Sequence, residues 1–176
     1  MMDKNTYRVF DYVLGNPKPD LHLNVTSNMC PPDDKIKNRY FDMVKKLCIE
    51  EKIEHFMQFV SVDAHGVQAE YVRNGLDYNR LMSNVDEFLE RIPGRNSVTF
   101  IVTYNNLSVT SLRALLEDIQ QLRAKHSSTY QRVWFDIPLL RQPAWQQITL
   151  LSEAYQQIHK DNMEWMQANS GEDNYT

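Results

Sequence analysis

The sequence has little cysteine, few glycines, no long apolar run and no excess of positive charge. Its two cysteines, Cys30 and Cys48, stand far apart without ligand spacing, which excludes a disulfide framework and a metal finger. The 5 glycines among 176 residues form no phosphate-binding loop. A nucleophile elbow and a paired acidic metal motif are also absent, which argues against a self-contained small enzyme built on those sites. No apolar stretch reaches membrane-spanning length, and the polar start MMDKNTYR is unlike a signal peptide. Lys and Arg number 19 against 23 Asp and Glu, a net charge of −4 with a pI near 5.7. A broad footprint for nucleic acid or anionic lipid is therefore missing. The sequons at Asn24, Asn106 and Asn174 read as chance matches in a chain without a secretion signal. The expectation is a cytoplasmic protein with no nucleic-acid partner and no membrane partner.

What is present is an ordinary globular composition, 42% hydrophobic and 24% charged. The length predicts one domain with a real core over residues 1–168, followed by a polar tail at 169–176. Residues 5–14 predict a short helix stopped by Gly15, Pro17 and Pro19. Leu21, Leu23 and Val25 alternate in a strand that ends in Thr26, Ser27 and Asn28. A helix starting at Pro31-Pro32-Asp33 carries one apolar stripe of Ile36, Tyr40, Met43, Val44 and Leu47. A second strand spans 54–62, and its apolar run from Phe56 to Val62 predicts burial on both faces. A long polar loop follows, then a helix with Leu81, Val85, Phe88, Leu89 and Ile92 on one face, ended by Pro93-Gly94. Residues 97–104 predict a third strand. Ser108 is a candidate N-cap for a helix bearing Leu112, Leu115, Leu116, Ile119 and Leu122. Residues 133–137 predict a fourth strand cut by Pro138, and the remainder to about Met166 is weakly helical.

Strand and helix thus alternate, every strand ends in polar residues, and every connection is long enough for a crossover. This predicts an α/β fold with a parallel sheet and right-handed βαβ units. Each helix has a single apolar stripe, so helices should cover one sheet face, as in an arc of about four strands from a barrel.

The strand ends read TSN at 26–28, SVDAHGVQAEYVRNGLDY at 61–78, TYNNLSV at 103–109 and FDIPLLRQPAW at 135–145. Taken together and in this order, they resemble radical SAM enzymes, and more narrowly the twitch-domain-containing radical SAM proteins. The resemblance covers roughly residues 5–151 and implies a partial TIM-like (β/α)6 barrel, of which this chain matches the middle-to-late part. It implies reductive cleavage of S-adenosylmethionine to a 5′-deoxyadenosyl radical that abstracts hydrogen from a substrate. The family's 4Fe-4S cluster rests on a CxxxCxxC loop, and its GGEP-type loop binds the methionine amino group. Neither loop is in this sequence. Activity by the chain alone is therefore not expected. A completing polypeptide carrying the cluster loop, or self-association through open sheet edges, is expected as partner. Whether the chain is an enzyme is left open. The alternative reading is a non-catalytic remnant or protein-interaction module on the same α/β fold.

By position, the resemblance implies that Ser61 approaches the ribose hydroxyls and that Arg73 meets the methionine carboxylate. Asp63 and Glu70 would orient Arg73 or touch the ligand, and Ile137 and Leu139 would form the apolar wall under adenine. Asn28, Thr103, Asn105 and Arg141 would line the substrate side. Each residue has a plainer reading. Ser61 can cap backbone groups, Asp63 can cap a turn, and Arg73 can pair with Glu70 three residues before it. His65 reads as a loop residue, and His22, His55, His126 and His159 are scattered without metal spacing. Cys30 reads as a packed thiol, Asn105-Asn106 as turn chemistry, and Trp134, Trp145 and Trp165 as core or inter-domain contacts.

Overall fold

Aspartates set three of the helix starts. The structure, a computed structural model, describes residues 3–127 and 129–169. Helix α1 (Lys4–Gly15) is capped by Asp3, whose Oδ1 accepts from the Asn5 amide at 2.8 Å. Helix α2 (Asp34–Ile49) is capped in the same way by Asp33, from the Ile36 amide at 2.8 Å. Asp77 caps α4 (Tyr78–Arg91) from the Arg80 amide at 2.9 Å. A short carboxylate before an amphipathic run satisfies one orphan N–H and complements the helix dipole. Helix α5 (Leu112–His126) differs from expectation. Its N-cap residue is Ser111, which makes no side-chain cap bond, and Ser108 is instead buried in the preceding turn.

Strands β1 (Lys18–Ser27), β2 (Ile53–Ser61), β3 (Ser97–Ile101) and β4 (Val133–Asp136) form one parallel sheet in the order β1-β2-β3-β4. Leu23 pairs with Phe56, while Val25, Gln58, Val98 and Val133 form the next row. Ser27, Val60, Phe100 and Phe135 form the row beyond. These rows face the helices. Phe56 meets Phe10 of α1 and Phe88 of α4, and Phe88 meets Phe41 of α2, at centroid distances of 5.3–6.2 Å. The helices α1, α2, α4, α5 and α6 (Glu153–Asn169) neighbour one another in chain order, as a single layer. The one-stripe helices lead to this arrangement, since each has only one side to bury.

The opposite face carries Asn24, Met57 and Ser97 in one row and Thr26, Phe59, Thr99 and Trp134 in the next. Ser61, Ile101 and Asp136 follow in a third row. Met57, Phe59 and Ser61 are only half-buried, so β2 is fully buried on its helix face alone. The run Phe56–Val62 hid this because Gln58, one of its two polar residues, is turned into the core. Pro138 stands past the end of β4, where its carbonyl still accepts from Tyr104 N at 3.0 Å. An edge position asks nothing of its missing N–H.

The loop expected after β2 contains a helix, α3 (Gly66–Val72). It buries only Ala69, while Val67 and Tyr71 point to solvent at 82% and 81% exposure. Two turns with no inward apolar stripe leave no periodic signal. Gly66 at φ +54° opens it, and Gly75 at φ +82° follows, both in the left-handed region that favours glycine. The region expected to be weakly helical after β4 contains two 3₁₀ turns, Ala144–Gln146 and Ile148–Leu150, and then α6. Of the expected polar tail, Asn169 closes α6 and 170–176 lie outside the described residues.

Candidate functional site at the strand ends

The polar residues beyond the C-terminal ends of β2 and β3 converge with the end of α3. Asp63 follows Ser61, the last residue of β2, by two residues. The Asp63 carboxylate is almost fully buried and accepts three hydrogen bonds. Arg73 Nε and Nη2 donate to it at 2.7 and 3.0 Å, and the Thr103 amide donates at 3.0 Å. A buried carboxylate holds its charge only when its oxygens are filled in this way. Arg73, the C-cap residue of α3, is a third exposed at its side chain. Its partner is thus Asp63 and not Glu70. Glu70 Oε1 accepts from the Tyr78 amide at 3.0 Å and so steadies the start of α4.

The pair uses the Nε–Nη2 edge of the guanidinium. An arginine offers about five N–H donors, so after these two bonds the Nη1 group and one Nη2 proton are left at its end. Ser61 is half-buried, and its hydroxyl makes no hydrogen bond among the described residues. Thr103 is placed beside Asp63 through its backbone. Asn105, in contrast, is turned inward at 4% exposure. Its Nδ2 donates to Thr103 O at 2.8 Å and its Oδ1 accepts from Leu107 N at 2.9 Å, so it builds the turn. Asn28 is exposed, and its Oδ1 accepts from Cys30 N at 3.1 Å. Ile137 packs against the core, Leu139 is 62% exposed, and Arg141 is exposed on the segment beyond the Tyr104–Leu139 bridge. Among the expected site residues, then, the structure joins Asp63, Arg73 and Thr103, with Ser61 adjacent in the chain.

Several supporting residues escape sequence reading. Gln58 is fully buried beneath the site. Its Oε1 accepts from Tyr40 Oη at 2.6 Å, and its Nε2 donates to Val25 O and Ser27 Oγ at 3.0 and 3.2 Å. Met29, fully buried at φ 53°, holds a left-handed conformation costly for a side chain of its size. Its carbonyl accepts from Asn84 Nδ2 at 2.7 Å, which helps keep it there. Gln68 donates from Nε2 to the Leu107 carbonyl and accepts from Thr110 Oγ1 at 3.1 Å, tying α3 to the turn after β3. Asn106 Nδ2 donates to Trp145 O at 2.9 Å, while its buried Oδ1 has no partner among the described residues. His65 packs edge-on against Tyr78, with ring centroids 4.8 Å apart. Both reach Asp118, Tyr78 Oη donating at 2.7 Å and His65 Nε2 lying at 3.4 Å. Burial, reinforced by Asp118, pushes the Tyr78 phenol up, so it stays a neutral donor.

The cysteines lie at the two ends of α2. Cys30 Sγ donates to the Asp77 carbonyl at 3.2 Å, and burial raises its thiol. Cys48 is pushed up to about 12 by burial. The 16 residues of α2, at about 1.5 Å each, make a helix roughly 24 Å long between their two regions. Among the described residues, no three His, Cys, Asp or Glu side chains are grouped to hold a metal ion. A cleft of about 410 Å³ opens elsewhere, between α4 and α5, lined by Met82, Ser83, Asp86, Asp118, Gln121, Leu122 and Lys125. Its charges are already paired: Lys125 Nζ contacts Asp86 and Glu90, and His126 Nε2 lies 2.6 Å from Asp86. The strand ends, with unspent donors, remain the better candidate.

No helix among the described residues is long and apolar enough to cross a membrane. In comparisons with known proteins, no family model, no curated protein and no solved structure matches this chain.

Proposed function

We propose that the chain forms an arc of a radical SAM-type barrel and supplies the ribose and carboxylate side of an S-adenosylmethionine site. The observation that carries this reading is the Arg73 guanidinium, fixed by Asp63 at the end of β2 with donors left over and Ser61 two residues away. A guanidinium end is a planar, two-pronged donor suited to an α-carboxylate. In this reading the Ser61 hydroxyl meets the ribose, and the polar mouth around Asn28, Thr103 and Arg141 faces a substrate. The winding adds support. Consecutive neighbouring strands under one helix layer suit a barrel better than a doubly wound sheet, whose helices cover both faces. Apolar contact with adenine would fall to Leu139, since Ile137 is drawn into the core.

S-adenosylmethionine, when bound, supplies a 5′-carbon that reductive cleavage converts to a radical. The chain's own contribution is binding and orientation. The cluster of the resembling enzymes does not fit these residues, because it needs several thiolates on one loop. Here one thiol is held at about 12, and the two stand at opposite ends of a helix. The ligands would come from a completing polypeptide, for which the β1 edge of the sheet is the natural seat.

Calorimetric titration of S-adenosylmethionine into the wild type, Arg73→Ala and Ser61→Ala tests the reading. The expectation is binding by the wild type, weakened about tenfold by Arg73→Ala and about threefold by Ser61→Ala. A folded wild type that gives no binding heat at millimolar ligand would overturn it. That outcome would favour the second reading, an interaction module. The exposed Val67, Tyr71 and Trp145 on the strand-end side support such a surface.

A further inference from the structure

Of the two edges of the sheet, β4 is guarded and β1 is not. β4 is four residues long and runs into Pro138, and shortness and proline are devices that keep sheet edges from pairing. β1 is ten residues long. Pro19 and the break in register between Lys18 and His22 guard only its start. From His22 to Ser27 it pairs with β2 without interruption, and this stretch contains no proline and no Lys, Arg, Asp or Glu. Its outer side presents N–H and C=O groups that no strand among the described residues pairs. Leu21, Leu23 and Val25 point to the helix side and rest on the core, yet each stays only half-buried. Backbone groups and apolar surface are thus left open along the same line.

The pattern of this edge is complementary to itself. Two copies of β1 paired antiparallel about a twofold axis set residues of the same face opposite each other. A slip by one residue would set the apolar side chains against the polar ones of the other face. Among the remaining registers, the one centred on Leu23 sets every apolar residue against an apolar one. Leu21 meets the partner's Val25, and Leu23 meets the partner's Leu23. On the open face, His22 meets the partner's Asn24 and Asp20 meets the partner's Thr26, so no like charges are opposed. Centring on His22 would bring two histidine rings together, and centring on Asn24 would set Leu21 against a serine. We propose that the β1 edge is a self-association surface whose partner is a second copy of this chain, joined through antiparallel β1 strands centred on Leu23 into one continuous sheet. The proposal goes beyond the S-adenosylmethionine reading and does not rest on it. The two meet at one point, since a completing polypeptide seated on β1 would have to displace the second copy.

Sedimentation velocity of the full chain over a dilution series tests this. A single strand pairing is a small interface, so the expected result is a monomer–dimer equilibrium with a dissociation constant of about 10–100 μM. Amide hydrogen exchange should slow within residues 21–27 as the concentration rises. Thr26 and Asp20 are both exposed, so charge changes there spare the core and read the register directly. Thr26→Asp opposes the partner's Asp20 twice across the twofold and should weaken the dimer about tenfold. Thr26→Lys faces the same carboxylates and should tighten it about threefold. Asp20→Lys combined with Thr26→Asp restores opposite charges and should return the affinity to within about threefold of the wild type. Thermal melting at low concentration reports that each variant folds.

A chain that stays monomeric throughout the series would overturn the proposal and leave the edge to a polypeptide of different sequence. A dimer that ignores both Thr26 substitutions, or whose exchange slows only outside β1, would overturn it too, because the contact would then lie elsewhere. Equal weakening by Thr26→Lys and Thr26→Asp would refute the register centred on Leu23. None of these outcomes touches the S-adenosylmethionine reading, which the calorimetric titration decides by itself.

Discussion

Replacing Gln58 by leucine should destabilise the protein by about 2 kcal/mol, although leucine is the more hydrophobic residue and of similar size. Gln58 is fully buried on the helix side of β2, and Tyr40, also fully buried, donates to its Oε1 at 2.6 Å. Leucine there would leave a buried phenolic hydroxyl without an acceptor, at a cost of about 1–3 kcal/mol. It would also remove the donor to Val25 O and Ser27 Oγ at the end of β1. The added apolar contact returns only about 1 kcal/mol. Burial raises the Tyr40 phenol well above its ordinary range, so it remains a neutral donor at any working pH. Tyr40→Phe alone should cost about 1 kcal/mol, and the double variant should be less destabilised than the sum by about 1–2 kcal/mol. Urea denaturation followed by circular dichroism reads the cycle. The Gln58→Leu melting midpoint should drop by about 4–8 °C for a chain of this size. Additivity within about 0.3 kcal/mol would refute the coupling, and with it the idea that this buried pair holds the β1 end in place.

Two further predictions follow from the electrostatics. Lys37 Nζ lies 2.6 Å from Glu87 Oε2 between α2 and α4, and this contact, with Arg91, holds the Glu87 carboxyl below its ordinary value of 4.5. A depressed carboxyl stabilises the fold above its unfolded pKa. That contribution, about 0.5 kcal/mol for a pair still partly open to solvent, should fade as pH falls through the folded value, and Glu87→Gln should remove it. Urea midpoints at neutral pH and below pH 4.5 check this, and an identical acid response of variant and wild type would contradict it. Cys48, with its thiol at about 12, should react with a thiol reagent at neutral pH more than about 100-fold slower than in the urea-unfolded chain. Labelling at the unfolded rate would show that the C-terminal end of α2 opens readily.

The strands and amphipathic helices were legible in the sequence because their signal is local. The stripes Tyr40, Val44, Leu47 and Leu81, Val85, Phe88, Leu89 are each written in one helix and buried as expected. Parallel pairing in sequential order followed from crossover length. The short α3 was not legible, because Val67 and Tyr71 face outward and only Ala69 is buried. Gln58 was hidden by its apolar neighbours, since a polar residue inside an apolar run looks like an outward one. At the candidate site, Asp63, Arg73 and Thr103 were each marked by position. Their joining depended on a contact between residues 40 apart, which no local pattern carries. Local spacing offered Glu70 as a partner of Arg73, while only the resemblance offered Asp63. Asn105 looked available from its place at a strand end, yet its amide is consumed by its own turn.

On the proposed reading, the strand ends, and not the cleft between α4 and α5, should bind S-adenosylmethionine. Amide chemical-shift mapping of the isotope-labelled full chain during titration with that ligand tests it most directly. Saturable shifts are expected at Ser61, Asp63, Arg73 and Thr103, with Ser83 and Gln121 in the cleft unmoved. Shifts confined to the cleft, or none at millimolar ligand, would contradict it.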